Sequence, residues 1–62
     1  MERTITWTWG KYNGLIKDES VKSFVEVWVC DTSRDASYNA MLKRSTELMK
    51  AGYMPEKIEG GV

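Results

Sequence analysis

Histidine is absent from the 62-residue sequence, and cysteine and proline occur once each. With Cys30 alone, no disulfide can form within the chain. A structural zinc site would need several Cys or His ligands, so neither a metal nor any other cofactor is expected. Positive and negative residues balance to a formal net charge of +0, whereas dedicated nucleic-acid binders usually carry a basic excess or a segregated basic face. No apolar run approaches the roughly 20 residues that span a bilayer, and the first ten residues, MERTITWTWG, lack the apolar stretch of a signal peptide. A lone thiol suits a reducing compartment, so the expected location is cytoplasmic, with no membrane partner. The length allows one domain at most, residues 1–62. Such a domain buries only about 60% of the surface its unfolded chain exposes. Without staples, its stability must come from efficient packing or from self-association.

What is present is globular in character: 42% apolar and 29% charged residues. Arg3, Ile5, Trp7 and Trp9 alternate with Thr4, Thr6 and Thr8, a period of two that predicts a strand over Thr4–Trp9. Gly10 permits a bend or bulge. Asn13-Gly14 suits a two-residue hairpin turn, so residues 10–20 read as either a short hairpin or a mobile loop joining two longer strands. Val21–Cys30 is the clearest strand. Its sides are Val21, Ser23, Val25, Val27 and Val29, and Lys22, Phe24, Glu26, Trp28 and Cys30.

From Asp35 to Ala51 the apolar spacing turns helical, with Tyr38, Met41, Leu42, Leu48 and Met49 in one stripe together with Ser45. Thr32 with Asp35 resembles a capping box, and Asp31 and Ser33 compete as N-caps. Lys50 suits the last turn, Gly52 a C′ position, and Pro55 opposes continuation. Glu56–Glu59 is a candidate last strand with Ile58 inward, and Gly60-Gly61-Val62 is expected to fray. The simplest assembly is a small two-layer α+β domain, an antiparallel sheet of two to four strands with one helix on one face, ββαβ-like.

One helix covers one face of such a sheet. Because Lys22 and Glu26 lie on the other side, the valines are expected to form the core with Ile5, Trp7 and Trp9. Phe24, Glu26, Trp28 and Thr6 would then form an open contact patch. Aromatic patches of this kind mark interaction sites. The alternatives are that Phe24 and Trp28 pack on their own hairpin, or that the arrangement is reversed and a valine stripe is exposed, again inviting a partner.

Chemistry is hard to place. Cys30 has no histidine to activate it, although a following helix N-terminus can lower a thiol pKa. The carboxylates are scattered, no phosphate loop is present, and small domains rarely enclose a substrate cavity of a few hundred Å³. No catalytic residue and no small-molecule substrate are expected. The expected function is therefore a non-enzymatic binding protein acting on a protein partner or on itself as a structural homodimer. A second reading is a nucleic-acid-binding regulator using Lys43, Arg44, Lys50 and Arg34 on a mildly basic helix face interrupted by Glu47.

The segment from Phe24 to Ile58, a strand, a polar cap, a helix and then the step Ala51-Gly52-Tyr53 before a short strand, resembles small bacteriophage-encoded ββαβ accessory proteins. Among these is the phage T7 inhibitor of bacterial RNA polymerase. The helix here is mildly basic where that inhibitor's is acidic, and no site residue carries over. The resemblance implies a phage or prophage accessory protein or inhibitor that works by binding.

Overall fold

In the computed structural model, which describes residues 2–32 and 34–60, the alternating N-terminal segment becomes the central strand. This strand, β1 (Arg3–Asn13), is followed by β2 (Ile16–Lys17), β3 (Phe24–Cys30), helix α1 (Ala36–Lys50) and β4 (Tyr53–Gly60). Strands β3 and β4 flank β1, both antiparallel to it, and β2 folds back on its far end. The four strands form one sheet with α1 packed on one face, a small α+β domain. Among the described residues, no helix is long and apolar enough to cross a membrane.

The region after Gly10 is a hairpin, shifted by one residue from the Asn13-Gly14 turn. Asn13 still pairs with Ile16, so Gly14 and Leu15 form the tip. Gly14 takes the positive φ, 66°, that such a tight reversal requires. β3 begins at Phe24 rather than Val21, and β4 extends to Tyr53 and Gly60, beyond the Glu56–Glu59 core expected for it. Residues 61 and 62, where fraying was expected, and Ser33, a candidate cap, lie outside the described residues.

The face that α1 covers is not the valine face. Residues directly opposite in an antiparallel pair share a face, and β3 is registered with Ile5 opposite Trp28, Trp7 opposite Glu26 and Trp9 opposite Phe24. The buried core is Ile5, Trp7, Trp9, Cys30, Met41 and Leu48, with Phe24, Trp28, Tyr38 and Tyr53 packed against it. Val25, Val27 and Val29 point the other way and remain 51–60% exposed. The charge that argued against this arrangement is accommodated instead: Arg44 of α1 reaches down and donates from Nε to Glu26 Oε2 at 3.1 Å. Once that carboxylate has a cation, the larger aromatic area decides which side goes inward. Leu42 and Met49 sit on the flanks of the stripe, 42% and 45% exposed, so the buried helix line is Met41, Ser45 and Leu48.

Trp7 and Trp9 stack with centroids 5.2 Å apart and planes within 5°. Such a pair contributes about 0.5–1.5 kcal/mol beyond its area. Both indole Nε1 atoms are buried without a hydrogen-bond partner, at a cost of about 1–3 kcal/mol each. The indoles therefore stabilise the core through buried area, and their polar atoms work against it.

Helix α1 starts where Asp35 caps it. Its Oδ1 accepts from Tyr38 N at 2.7 Å, and Oδ2 accepts from the backbone N–H groups of Asp31 and Thr32. Half of the box expected between Thr32 and Asp35 is present, the Asp35 carboxylate accepting from Thr32 N, whereas Thr32 Oγ1 accepts from Arg34 N rather than Asp35 N; the N-cap is Asp35 itself, and Asp31 donates to the cap instead of being one. At the other end Gly52 has φ 96° and donates to Met49 O at 3.1 Å, the left-handed closure that glycine permits. Lys11 of β1 donates from Nζ to Ala51 O and lies 5.1 Å from the Tyr53 ring centroid, placing a cation at the negative end of the helix.

Candidate protein-binding surface

The uncovered face of the sheet has three columns, set by the register. Val29, Val27 and Val25 on β3 lie opposite Thr4, Thr6 and Thr8 on β1, and beyond these Glu59 and Lys57 on β4 lie opposite Thr6 and Thr8. With strands about 4.8 Å apart, the result is a flat surface that runs from apolar to hydroxyl to charged. Its charged column is internally balanced, with Lys57 Nζ 3.7 Å from Glu59 Oε1. Thr6 stands on this face as expected. Phe24, Glu26 and Trp28, the other members of the expected patch, lie on the helix side and are only partly exposed. The register inverted the aromatic patch and left a valine patch in its place.

One end of this face is closed by a polar cluster that sequence reasoning missed. The pairing slips between Thr8 and Trp9, where β4 moves from Lys57 to Pro55. Glu56 is the extra residue of this bulge, and its side chain folds across Gly10. A Cβ built on Gly10 would stand 2.5 Å from Glu56 Oε1, so the glycine makes room for the carboxylate. Ser23 Oγ donates to Glu56 Oε1 at 2.7 Å, Lys17 Nζ to Oε2 at 3.1 Å and Tyr12 Oη to Oε2 at 3.2 Å. The Ser23 bond, then that of Lys17, holds the Glu56 carboxyl below its ordinary range. Partial desolvation, then the Glu56 charge, raises Tyr12, and the Glu56 hydrogen bond raises Lys17. One carboxylate thus ties β1, β2, β4 and the segment before β3. The available signal was Gly10 itself, a glycine inside a strand pattern. At the hairpin tip beyond, Leu15 and Ile16 are 100% and 75% exposed.

Cys30 is buried at the end of β3, and desolvation, with Asp35 nearby, raises its thiol pKa. The helix N-terminus does not activate it. Iodoacetamide is expected to modify Cys30 far more slowly in the folded protein than in urea, and equal rates would place the thiol at the surface. Lys43 and Lys50 are exposed on the helix, Arg34 is exposed in the turn before it, outside the expected helix face, and Arg44, though solvent-accessible, is paired with Glu26.

Between α1 and the end of the sheet runs a half-open groove of about 340 Å³, lined by Ile5, Trp7, Leu42 and Ile58 with Arg3 among its walls. Ile58 faces this side, as expected, but remains 53% exposed because the groove is not filled. Comparison with protein-family models, curated proteins and solved structures found no match.

Proposed function

We propose that the chain is a small non-enzymatic protein-binding domain whose contact surface is the open sheet face. The observation that carries this reading is the row of Val25, Val27 and Val29, each at least half exposed on a face no element covers. Contiguous exposed apolar surface on a small protein marks a contact site. The threonine column and the Lys57–Glu59 pair supply the polar rim that surrounds apolar centres in such interfaces. Action in the cytoplasm, as a phage or prophage accessory protein or inhibitor, belongs to the same proposal and rests on the lone thiol and on the sequence resemblance.

The test is capture of a binding protein from bacterial lysate, with and without nuclease treatment, by wild type and by the triple variant Val25→Thr, Val27→Thr, Val29→Thr. That variant removes methyl groups from the face while keeping β-branched shape. A protein retained by wild type and reduced at least about tenfold by the variant is the expected result, equivalent to about 1.4 kcal/mol or more. Equal retention by the two would refute the valine face as the contact. Recovery abolished by nuclease would instead favour nucleic acid and the exposed Arg34, Lys43 and Lys50.

A further inference from the structure

The sheet has two long edges, and the chain treats them differently. Edge strands offer unpaired N–H and C=O groups to any other strand, and proteins blunt them with proline, bulges and charges. β4 carries all three: Pro55, the bulge at Glu56, and the Lys57–Glu59 pair. β3 carries no proline, glycine, lysine or bulge. Among the described residues, its backbone bonds run to β1 alone, and none reaches out from the other edge. Its one charge, Glu26, is turned to the helix side and held by Arg44.

We propose that β3 pairs, antiparallel, with β3 of a second copy of this chain across a twofold axis at Val27, joining the two sheets into one. The register follows from the side chains. Opposed residues must share a face, so the axis has to pass through a residue rather than between two. An axis at Glu26 sets two carboxylates against each other, which is destabilising. An axis at Trp28 sets Val25 against Asp31. An axis at Val27 pairs Val27 with its own copy and Val25 with the second copy's Val29, so all three valines meet valines. The same axis sets Glu26 opposite the second copy's Trp28. Glu26 Oε1 is buried with no hydrogen-bond partner, and an indole N–H is a donor with no other role. The valines therefore select one register, and the Glu26–Trp28 pairing is compatible with it. A self-complementary patch of this kind is what a twofold dimer requires.

This inference concerns the edge, not the face, and holds whether or not the face binds another protein. If both hold, the dimer presents two valine columns side by side. The experiment is sedimentation equilibrium of the purified full chain over a rising concentration series, with Val27→Lys and Thr6→Lys beside wild type. Wild type is expected to double its weight-average mass. Val27→Lys, which puts two ammonium groups on the axis, is expected to stay monomeric with an unchanged far-ultraviolet spectrum. Thr6→Lys, one strand in from the edge on the same face, is expected to dimerise like wild type. A wild type that stays monomeric throughout overturns the proposal. So does a Thr6→Lys that dissociates as completely as Val27→Lys, because that identifies packing of face on face. Should Val27→Lys fail to fold, amide exchange of wild type decides the question. Alternate β3 amides slow with concentration if the edges pair, and concentration-independent exchange rejects it. No other protein is present, so this result is separate from that of the lysate capture.

Discussion

Trp9→Ala is expected to remove most or all of the folded population at room temperature. Trp9 is 1% exposed, sits mid-strand between β3 and β4, and stacks on Trp7. Replacing a buried tryptophan by alanine typically costs about 3–5 kcal/mol. A 62-residue domain with a single cysteine, and so no internal disulfide, has little more than that in hand. Urea titration followed by circular dichroism measures the loss, with Val27→Ala as the contrast. Val27 is 60% exposed, and substitution on an uncovered face costs about 1 kcal/mol or less. Measurement at low concentration keeps any self-association out of the comparison. If Val27→Ala cost as much as Trp9→Ala, the assignment of the two faces would be reversed.

Acid is expected to unfold the domain through its hydrogen-bonded carboxylates. Three of these have folded-state pKa values below their ordinary ones. Glu56 is lowered by Ser23 and Lys17, Asp35 by the Tyr38 and Asp31 amides, and Asp18 by the Ser20 hydroxyl and amide. A carboxyl whose pKa is depressed on folding favours the folded state above its ordinary pKa, 3.8 for Asp and 4.5 for Glu, and that contribution disappears as pH falls through the depressed folded value. Tm should therefore be level near neutrality and fall steeply once pH drops below the ordinary carboxylate range. Glu56→Gln keeps the shape and some of the hydrogen bonds but cannot titrate, so its acid limb should be shallower than that of wild type. Identical limbs would show that the bulge carboxylate contributes nothing. On the alkaline side the sign is opposite. Lys17 and Tyr12 are both raised on folding, so their contribution is complete below their ordinary values and is lost as pH rises through the folded ones.

The parts of the fold that depend on neighbouring residues were legible in the sequence. The alternation of Thr4–Trp9, the apolar density of Phe24–Cys30, the helical spacing from Tyr38 to Met49 and the closing Gly52 each became the element they indicate. The facing of β3 was not legible, because FVEVWVC is apolar on both sides and the deciding contacts are remote. They are the tryptophan column of β1, which sets the register, and Arg44, which reaches Glu26 from the helix. A local rule against burying charge pointed the wrong way once a cation arrived from another element. The Glu56 cluster was hidden for a related reason. Tyr12, Lys17, Ser23 and Glu56 have no periodic relation in the chain, and a bulge brings them together. The candidate surface therefore changed its side chains, while Thr6 kept its place on it.

The middle position in the sheet belongs to β1, and one of the three strands it pairs with is β4, the most distant from it along the sequence. This arrangement bears on the order of events during folding. The β1–β3 side can close early, but Trp7 and Trp9 lack their second neighbour until β4 docks. The final step is a closure between the most distant segments, the kind of contact that slows folding. Until then, the half-built sheet displays its indoles together with two open edges, so the partly folded form is the one most exposed to unwanted strand pairing.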